Sequence, residues 1–310
     1  MALTSDSFIE RSYLRKQVTK WKMVALAVVV LTLISFFEKN QTLTDVTDED
    51  YIARITIEGI IVEDEKLFDL LDQVANDKHA KALILHLNSP GGTAVAGEVL
   101  LQKIKDIREK KPVVSSMRSL CASACYMISL ASDRSFAMQG TITGSIGVIF
   151  QMAEMSELAQ KIGITPITIK SGTYKGSPSM DKPITDDERA IIQSMIDEFH
   201  NVFVQMVSDH RKIPVEQVRI LADGRIYSAQ RAKELNLVDA LGGEKEARAW
   251  LETEKKIAQD LEVRPLHIKS RMDNFLEKLE ESADIPNMVS GTSRSGLMLT
   301  WQPAIQNLVN

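Results

Sequence analysis

The chain has 310 residues, of which 44% are hydrophobic and 25% charged, so it can form one large domain or two modest ones with short additional segments. Its formal net charge of −5 provides no general basic surface, and we predict no nucleic-acid partner. The two cysteines lack the paired spacing of a zinc site and the five histidines are scattered. We therefore predict neither a metal nor a cofactor.

The first predicted element is a membrane anchor. Residues 23–37 form an uncharged apolar run, and Trp21 and Lys22 extend it toward the roughly 20 residues that a bilayer requires. A secretory signal peptide is one alternative, but a cleaved signal would have small residues where this run ends in Phe36 and Phe37 and continues with Glu38. A buried core helix is the other alternative, and the polar linker after the run argues against it.

The charges on the two sides of this run differ in sign. Basic residues precede it at positions 11, 15, 16, 20 and 22, and acidic residues follow it at positions 45, 48, 49 and 50. The positive-inside rule then leaves the N-terminus in the cytoplasm. We predict a single-pass protein of the inner (cytoplasmic) membrane, with a cytoplasmic tail at 1–21, an anchor at 22–38, a linker at 39–50 and the remainder on the periplasmic side.

From residue 51 onward, short β-branched runs alternate with longer amphipathic runs, which indicates repeated βα units and a largely parallel sheet. The predicted strands are residues 52–61, 82–87, 113–117, 135–138, 147–150 and 165–169. The predicted helices are residues 65–76, 94–109, 122–132, 155–162 and 186–210, a helix opened by Pro214, and residues 229–236 and 244–254. One domain over 51–264 follows, and 265–310 are predicted to be a partly ordered tail.

Two segments at predicted strand-to-helix junctions could carry chemistry. In the sequence NSPGG at 88–92, adjacent glycines before a helix could form an oxyanion hole with Gly92 as a donor, although a plain turn is the alternative. At the second junction, the Ser123 hydroxyl could face a cleft and the N–H of Ala124 could be the second donor. For Ser123 the alternative role is a helix N-cap.

Ser123 has no histidine near it in sequence, so another group must accept its proton if it is a nucleophile. Lys175, in a turn-rich segment at 170–178, is the candidate, because burial can lower the pKa of an amine by several units from about 10.4. Ser145 could hydrogen-bond this amine and orient it toward Ser123. An exposed surface lysine and an ordinary turn serine are the alternatives. A serine with a desolvated lysine is a workable nucleophile and base.

The two cysteines lie close to Ser123. Cys121 is a rival nucleophile, because a thiol is intrinsically better at neutral pH, but no histidine or asparagine pattern accompanies it. We interpret Cys121 as a small apolar core residue. Cys121 and Cys125 lie around a turn that enters a helix, and we expect no disulfide between them.

Taken together, these motifs resemble the signal peptide peptidase A family, the protease IV type of membrane-anchored serine peptidase, in its short single-domain form. The similarity covers residues 52–241. It depends on NSPGG at 88–92, SxxAS at 119–123, TGSIGV at 143–148, KSGxxKGSP at 170–178 and DGRIYSAQRAKELNLVDALGG at 223–243.

The resemblance implies an α/β fold of the Clp-protease/crotonase type, a repeated ββα core preceded by one transmembrane helix. It implies Ser123 as the nucleophile, Lys175 as the general base and Ser145 as the residue that orients the lysine. Gly92 and Ala124 would supply the oxyanion-hole amides. The implied substrates are signal-peptide remnants and small apolar peptides. Longer relatives carry two copies of the domain, so a one-copy chain is expected to form a homo-oligomeric ring or dome in which Ser123 can meet Lys175 of a neighbour.

The chain departs from the family pattern directly after Ser123. Family members usually carry two glycines there, whereas this chain has Ala124 and Cys125. An alanine in helical conformation still offers its N–H, so we expect the oxyanion donor to survive, with Cys125 narrowing the specificity pocket. Two other functions stay open, a crotonase-type acyl-CoA enzyme and a non-catalytic membrane scaffold. We predict a membrane-anchored serine endopeptidase.

Overall fold

The computed structural model of the chain describes residues 20–23 and 49–267. Residues 49–267 belong to one compact unit, Thr44–Ile268. In the described ranges, no helix combines the length and the hydropathy needed to cross a bilayer. The predicted anchor lies outside the described residues except for Lys22 and Met23, and the predicted tail lies outside them beyond His267.

A mixed α/β sheet organises residues 49–267. Its strands are β1 (Tyr51–Ile61), β2 (Ala80–Gly92), β3 (Val113–Ala122), β4 (Arg134–Ala137), β5 (Ile142–Gly144), β6 (Ile226–Ser228), β7 (Ala240–Leu241) and β8 (Glu262–Leu266). The helices are α1 (Glu65–Asn76), α2 (Ala94–Arg108), α3 (Ala124–Ser129), α4 (Ser156–Lys161), α5 (Asp186–Arg211), α6 (Val215–Leu221), α7 (Ala229–Glu234) and α8 (Glu244–Glu254). The α/β class predicted from the sequence is confirmed.

The strands follow the order β6-β5-β3-β2-β1-β8, and β4 pairs with both β3 and β7. Every pair among these described strands is parallel except β5 with β6, which is antiparallel. A parallel sheet needs cover on both faces, and the sequence of β2 alternates between two cores accordingly. Leu83 and Leu85 join the larger core with α1, α2 and α3, whereas Ala82 and Ile84 join a smaller core that includes residues of α8.

The long strands each have two segments. Pairing between β1 and β2 changes register between Glu58 and Ile60, and pairing between β2 and β3 changes between Leu87 and Ser89. The first segment of β3 pairs with β4, and its second segment, which ends at Ala122, pairs with β5. Each of β1, β2 and β3 is therefore two consecutive strand segments followed by one helix, and the second segments bring the ends of three strands together.

Two predicted strands are wrong. Residues 147–150 and 165–169 form no strand, and the strand near the first of them, β5, ends earlier, at Gly144. β-branched runs favour extended backbone, but a strand also needs a partner whose N–H and C=O groups complete the ladder. Ile149 and Ile167 are each 85% exposed and Ile169 is 96% exposed, so these runs find no partner among the described residues of their own chain.

Strand β8 was not predicted from the sequence. It contains Pro265, which pairs with Arg54 of β1. A proline lacks the N–H that a central strand needs, so it argues against a strand unless the strand lies at an edge. β8 is an edge strand of the sheet, and Pro265 is tolerated there.

Candidate active site

Ser123 lies between the end of β3 at Ala122 and the start of α3 at Ala124. Its backbone has φ 54° and ψ −121°, a conformation that costs a residue other than glycine about 1–3 kcal/mol. Two hydrogen bonds hold it, from the Ser123 N–H to the Gly144 carbonyl oxygen and from the Met127 N–H to the Ser123 carbonyl oxygen, both at 2.9 Å. Although Ser123 occupies the N-cap position, its side chain makes no capping hydrogen bond. The alternative role as a helix cap is therefore wrong, and the hydroxyl is left available.

Gly91 lies directly against Ser123. A Cβ atom at Gly91 would be 2.8 Å from the Ser123 Cβ and 3.2 Å from the Ala124 nitrogen, and the first of these is closer than real Cβ atoms approach. Gly91 also has φ 112°, in the region that favours glycine. Its N–H donates to Ser89 Oγ at 3.0 Å, so this amide already has an acceptor.

Gly92, the glycine that the sequence analysis singled out, is oriented differently. A Cβ there would lie 1.7 Å from the Ile61 carbonyl oxygen, so this glycine allows β2 to approach β1. The glycine doublet was the signal for both positions. The pairing of β2 with β1 is needed to show that Gly91 lies against Ser123 and that Gly92 lies against Ile61.

Ala124 is the first residue of α3 and is buried. Its N–H has no acceptor within the described part of the chain. An N–H at the first position of a helix has no intrahelical partner, so it remains free to donate to an oxygen atom of a ligand. This is the state expected of an oxyanion-hole donor.

Ser145 follows the strand residue that binds Ser123. Gly144 pairs with Ala122 across β3 and β5 and accepts the hydrogen bond from Ser123, so Ser145 is one residue beyond the partner of the proposed nucleophile. Ser145 has φ 50°, and its N–H donates to the Arg225 carbonyl oxygen at 2.9 Å. The structure thus places Ser145 next in sequence to the residue that Ser123 contacts.

Lys175 is not brought to Ser123 within the described chain. It lies in an irregular segment in which every residue from 163 to 176 is exposed. The Lys175 side-chain amine makes no hydrogen bond or ion pair with the described residues. Lys175 is therefore not buried in the single chain, and a buried lysine stays a prediction for an assembly of chains. The sequence indicates the turn around Lys175, but it does not indicate whether another surface covers that turn.

The segment that carries Lys175, residues 149–182, is fixed to α5 at its C-terminal end. Lys182 Nζ donates to Glu188 Oε1 at 2.5 Å, and the Thr185 N–H donates to Glu188 Oε2 at 3.0 Å. These donors, Lys182 above all, lower the pKa of Glu188 to about 2. The Met155 N–H donates to the Met180 carbonyl oxygen at 2.7 Å, and this hydrogen bond joins the N-terminal part of the segment to its C-terminal part.

Cys121 and Cys125 form a disulfide on either side of Ser123. The expectation of two unpaired cysteines is wrong, because the turn at Ser123 brings their Cα atoms to 5.1 Å, within the range that a disulfide requires. Both residues are fully buried. Cys121 has no free thiol in this state, so it is not a rival nucleophile.

Comparison with known proteins identifies the family. Residues 105–258 match the model of peptidase family S49. A putative protease of Synechocystis sp. is 39% identical over 203 residues, which cover 65% of this chain and 73% of the relative. The chain belongs to peptidase family S49. Membership makes it a serine peptidase and favours that function over the acyl-CoA enzyme and the scaffold.

Two further relatives bear on this S49 peptidase. A putative protease of Methanocaldococcus jannaschii is 38% identical over 199 residues, covering 63% of this chain and 64% of the relative. A putative signal peptide peptidase of Enterococcus faecium is 32% identical over 232 residues, covering 70% of this chain and 67% of the relative. The chain thus spans about two thirds of the length of both.

Proposed function

We propose that this S49 peptidase is a membrane-anchored serine endopeptidase that hydrolyses signal-peptide remnants and small apolar peptides, with Ser123 as its nucleophile. The observation that carries the proposal is the strained backbone of Ser123 with its hydroxyl free of any capping bond. A serine presented on a strand-to-helix turn in this way can reach the carbonyl of a bound peptide. The name of the Enterococcus relative supports the choice of substrate.

The reaction is acyl transfer to Ser123. The neutral amine of Lys175 accepts the hydroxyl proton as Ser123 Oγ attacks the peptide carbonyl, and Ser145 Oγ accepts a hydrogen bond from that amine and orients it. The resulting ammonium then gives its proton to the departing amine. Water, deprotonated by the same lysine, finally hydrolyses the ester.

The oxyanion of each tetrahedral intermediate is held by backbone amides. We assign one donor to Ala124, because its N–H has no other acceptor in the described structure. Gly92 is the second proposed donor, which the resemblance of NSPGG to the family motif implies. The N–H of Gly91 already donates to Ser89 Oγ. A preorganised pair of such donors stabilises the developing charge strongly in a site that excludes water.

Lys175 is proposed to act on Ser123 of a neighbouring copy of the chain. Its segment is exposed and carries apolar side chains, among them Ile149, Ile167 and Ile169. Apolar groups with no cover in the single chain favour association, and a homo-oligomeric ring or dome would bury them. The same burial would disfavour the charged ammonium and leave Lys175 neutral, as a base must be.

The proposed location is the periplasmic side of the inner membrane, with residues 22–38 as the anchor. The Cys121–Cys125 disulfide supports a compartment outside the cytoplasm, because disulfides persist in oxidising environments and are rare where thiol reductants are abundant.

The test uses the 310-residue chain and a synthetic peptide with the composition of a signal-peptide core. Ser123→Ala and Lys175→Ala are each expected to lower kcat/KM by about 10³-fold or more. Ser119→Ala and Lys161→Ala are the matched controls, since both side chains are exposed and neither has a proposed role. Cleavage that survives Ser123→Ala contradicts the nucleophile, and hydrolysis of an acyl-CoA thioester without any peptide cleavage contradicts the peptidase function.

A further inference from the structure

We propose that the Cys121–Cys125 disulfide is a positioning cross-link, which holds the turn at Ser123 in its reactive conformation. The inference depends on the proposed role of Ser123 and adds two residues that do not touch the substrate. Breaking the bond is expected to slow acylation of Ser123 while the domain stays folded.

The cross-link spans the nucleophile symmetrically. Cys121 lies near the end of β3 and Cys125 in the first turn of α3, with Ser123 midway between them. A covalent bond between the two ends of so short a segment removes most of the backbone conformations that its central residue could otherwise adopt. One of the few that remain is the positive φ of 54° at Ser123.

Cys121 is also the residue at which the site strands meet. It pairs with Ser89 of β2 and with Thr143 of β5, and its carbonyl oxygen accepts a hydrogen bond from Thr143 Oγ1 at 2.7 Å. The strand of Ser89 leads to Gly91, and the strand of Thr143 leads to Ser145. The disulfide therefore links α3, which begins with the N–H donor Ala124, to the strand residue Cys121. The strands that pair with Cys121 lead to Gly91 and Ser145.

Without the disulfide, the turn is held by its backbone hydrogen bonds and by the packing of its buried neighbours. The conformation of Ser123 is unfavourable for a residue with a side chain. The hydrogen bonds of its own backbone go to Gly144 and from Met127. Each such bond contributes a modest net stabilisation, comparable to the strain that it must offset. The cross-link adds a constraint that does not depend on these bonds.

Burial protects the disulfide from reduction while the domain is folded. Both cysteines are 0% exposed, so a thiolate can attack a sulfur only after the turn opens. Reduction by an added dithiol delivers two electrons and two protons, breaks the Sγ–Sγ bond into two thiols and leaves the reagent as a cyclic disulfide. Removing the reagent under an oxidant reverses the reaction.

The experiment compares oxidised, reduced and reoxidised samples of the 310-residue chain. Because the chain has only two cysteines, a thiol count after denaturation reports on this bond alone. The rate at which a fluorophosphonate labels Ser123, located by peptide mass, reports on the reactivity of the nucleophile. We expect reduction to lower this rate and kcat by about tenfold, with KM unchanged, and reoxidation to restore both.

The variant Cys121→Ala/Cys125→Ala serves as the control for the reagent. It is expected to label as slowly as the reduced chain and to be insensitive to the dithiol. Circular dichroism checks that both proteins remain folded, and if the variant does not fold, the reduction and reoxidation of the unaltered chain still decide the question.

Two results would overturn the proposal that the disulfide positions Ser123. One is a pair of free thiols in the untreated, denatured chain. The other is equal labelling of Ser123 before and after two thiols have appeared. A different result overturns the proposed function instead, namely peptide cleavage in every sample with no label on Ser123 in any of them.

Discussion

The backbone N–H of Ser123 donates to the carbonyl oxygen of Gly144 at 2.9 Å, which fixes the proposed nucleophile to the strand whose next residue is Ser145. Both serines have positive φ values, 54° and 50°. Two adjacent strand ends, β3 and β5, thus each place a serine in a conformation that strands do not adopt. Such strained positions concentrate at functional sites, where the surrounding structure holds them.

The strain at Ser123 predicts that replacing this residue with glycine stabilises the fold while it abolishes activity. Ser123→Gly removes the Cβ that makes φ 54° unfavourable, whereas Ser123→Ala keeps it. We expect the glycine variant to exceed the alanine variant in free energy of unfolding by about 1 kcal/mol, and both to be inactive. Urea unfolding measures the difference. An alanine variant as stable as the glycine variant would mean that the turn is not strained.

The contact between Gly91 and Ser123 predicts that this glycine cannot be replaced. In Gly91→Ala the new Cβ would meet the Ser123 Cβ at 2.8 Å on a backbone with φ 112°. We expect about 2 kcal/mol of destabilisation and loss of most peptide cleavage. Gly140→Ala is the matched control, since nothing lies within 4 Å of its new Cβ and its effect should stay within about 0.5 kcal/mol. Full activity of Gly91→Ala would show that the two residues do not share a site.

Local signals in the sequence were sufficient for much of the fold. The helices predicted at 65–76 and 244–254 match α1 and α8 to the residue, because apolar spacing and the acidic residues of their first turns are properties of the segment itself. The sequence also predicts a strand-to-helix junction near Ser123, because a cluster of small residues lies between the strand predicted at 113–117 and the helix predicted at 122–132.

The remaining features depend on contacts that sequence patterns do not specify. Ile149, Ile167 and Ile169 suit a strand, yet a strand forms only where a neighbouring strand is available. The sequence indicates a turn between Cys121 and Cys125, but it does not give the geometry of that turn, which brings the two Cα atoms to 5.1 Å and allows the disulfide. The proposed burial of Lys175 would need a surface that the described part of its own chain does not provide.

A site shared between subunits predicts complementation. Ser123→Ala and Lys175→Ala chains are each inactive, but in mixed oligomers a neighbouring pair can combine the serine of one variant with the lysine of the other. Random mixing of equal amounts should restore about a quarter of the unmixed activity, the fraction of neighbouring pairs with that arrangement. Two different affinity tags confirm that both variants are in one oligomer. Confirmed mixed oligomers without activity would place the dyad within one chain.

The ion pair between Lys182 and Glu188 predicts how stability changes with pH. Because the pKa of Glu188 in the folded chain is about 2, below its ordinary value of 4.5, ionised Glu188 stabilises the fold above about pH 4.5, and this contribution is lost as the pH falls toward 2. We expect Glu188→Gln to unfold at a lower urea concentration than the unaltered chain at pH 7, and the gap to shrink as the pH falls from about 4.5 toward 2. Glu157→Gln is the control, since Glu157 also lies in the first turn of a helix but has no hydrogen-bond partner among the described residues. A gap for Glu188→Gln that stays constant with pH would mean that the carboxylate does not hold the Lys175 segment to α5.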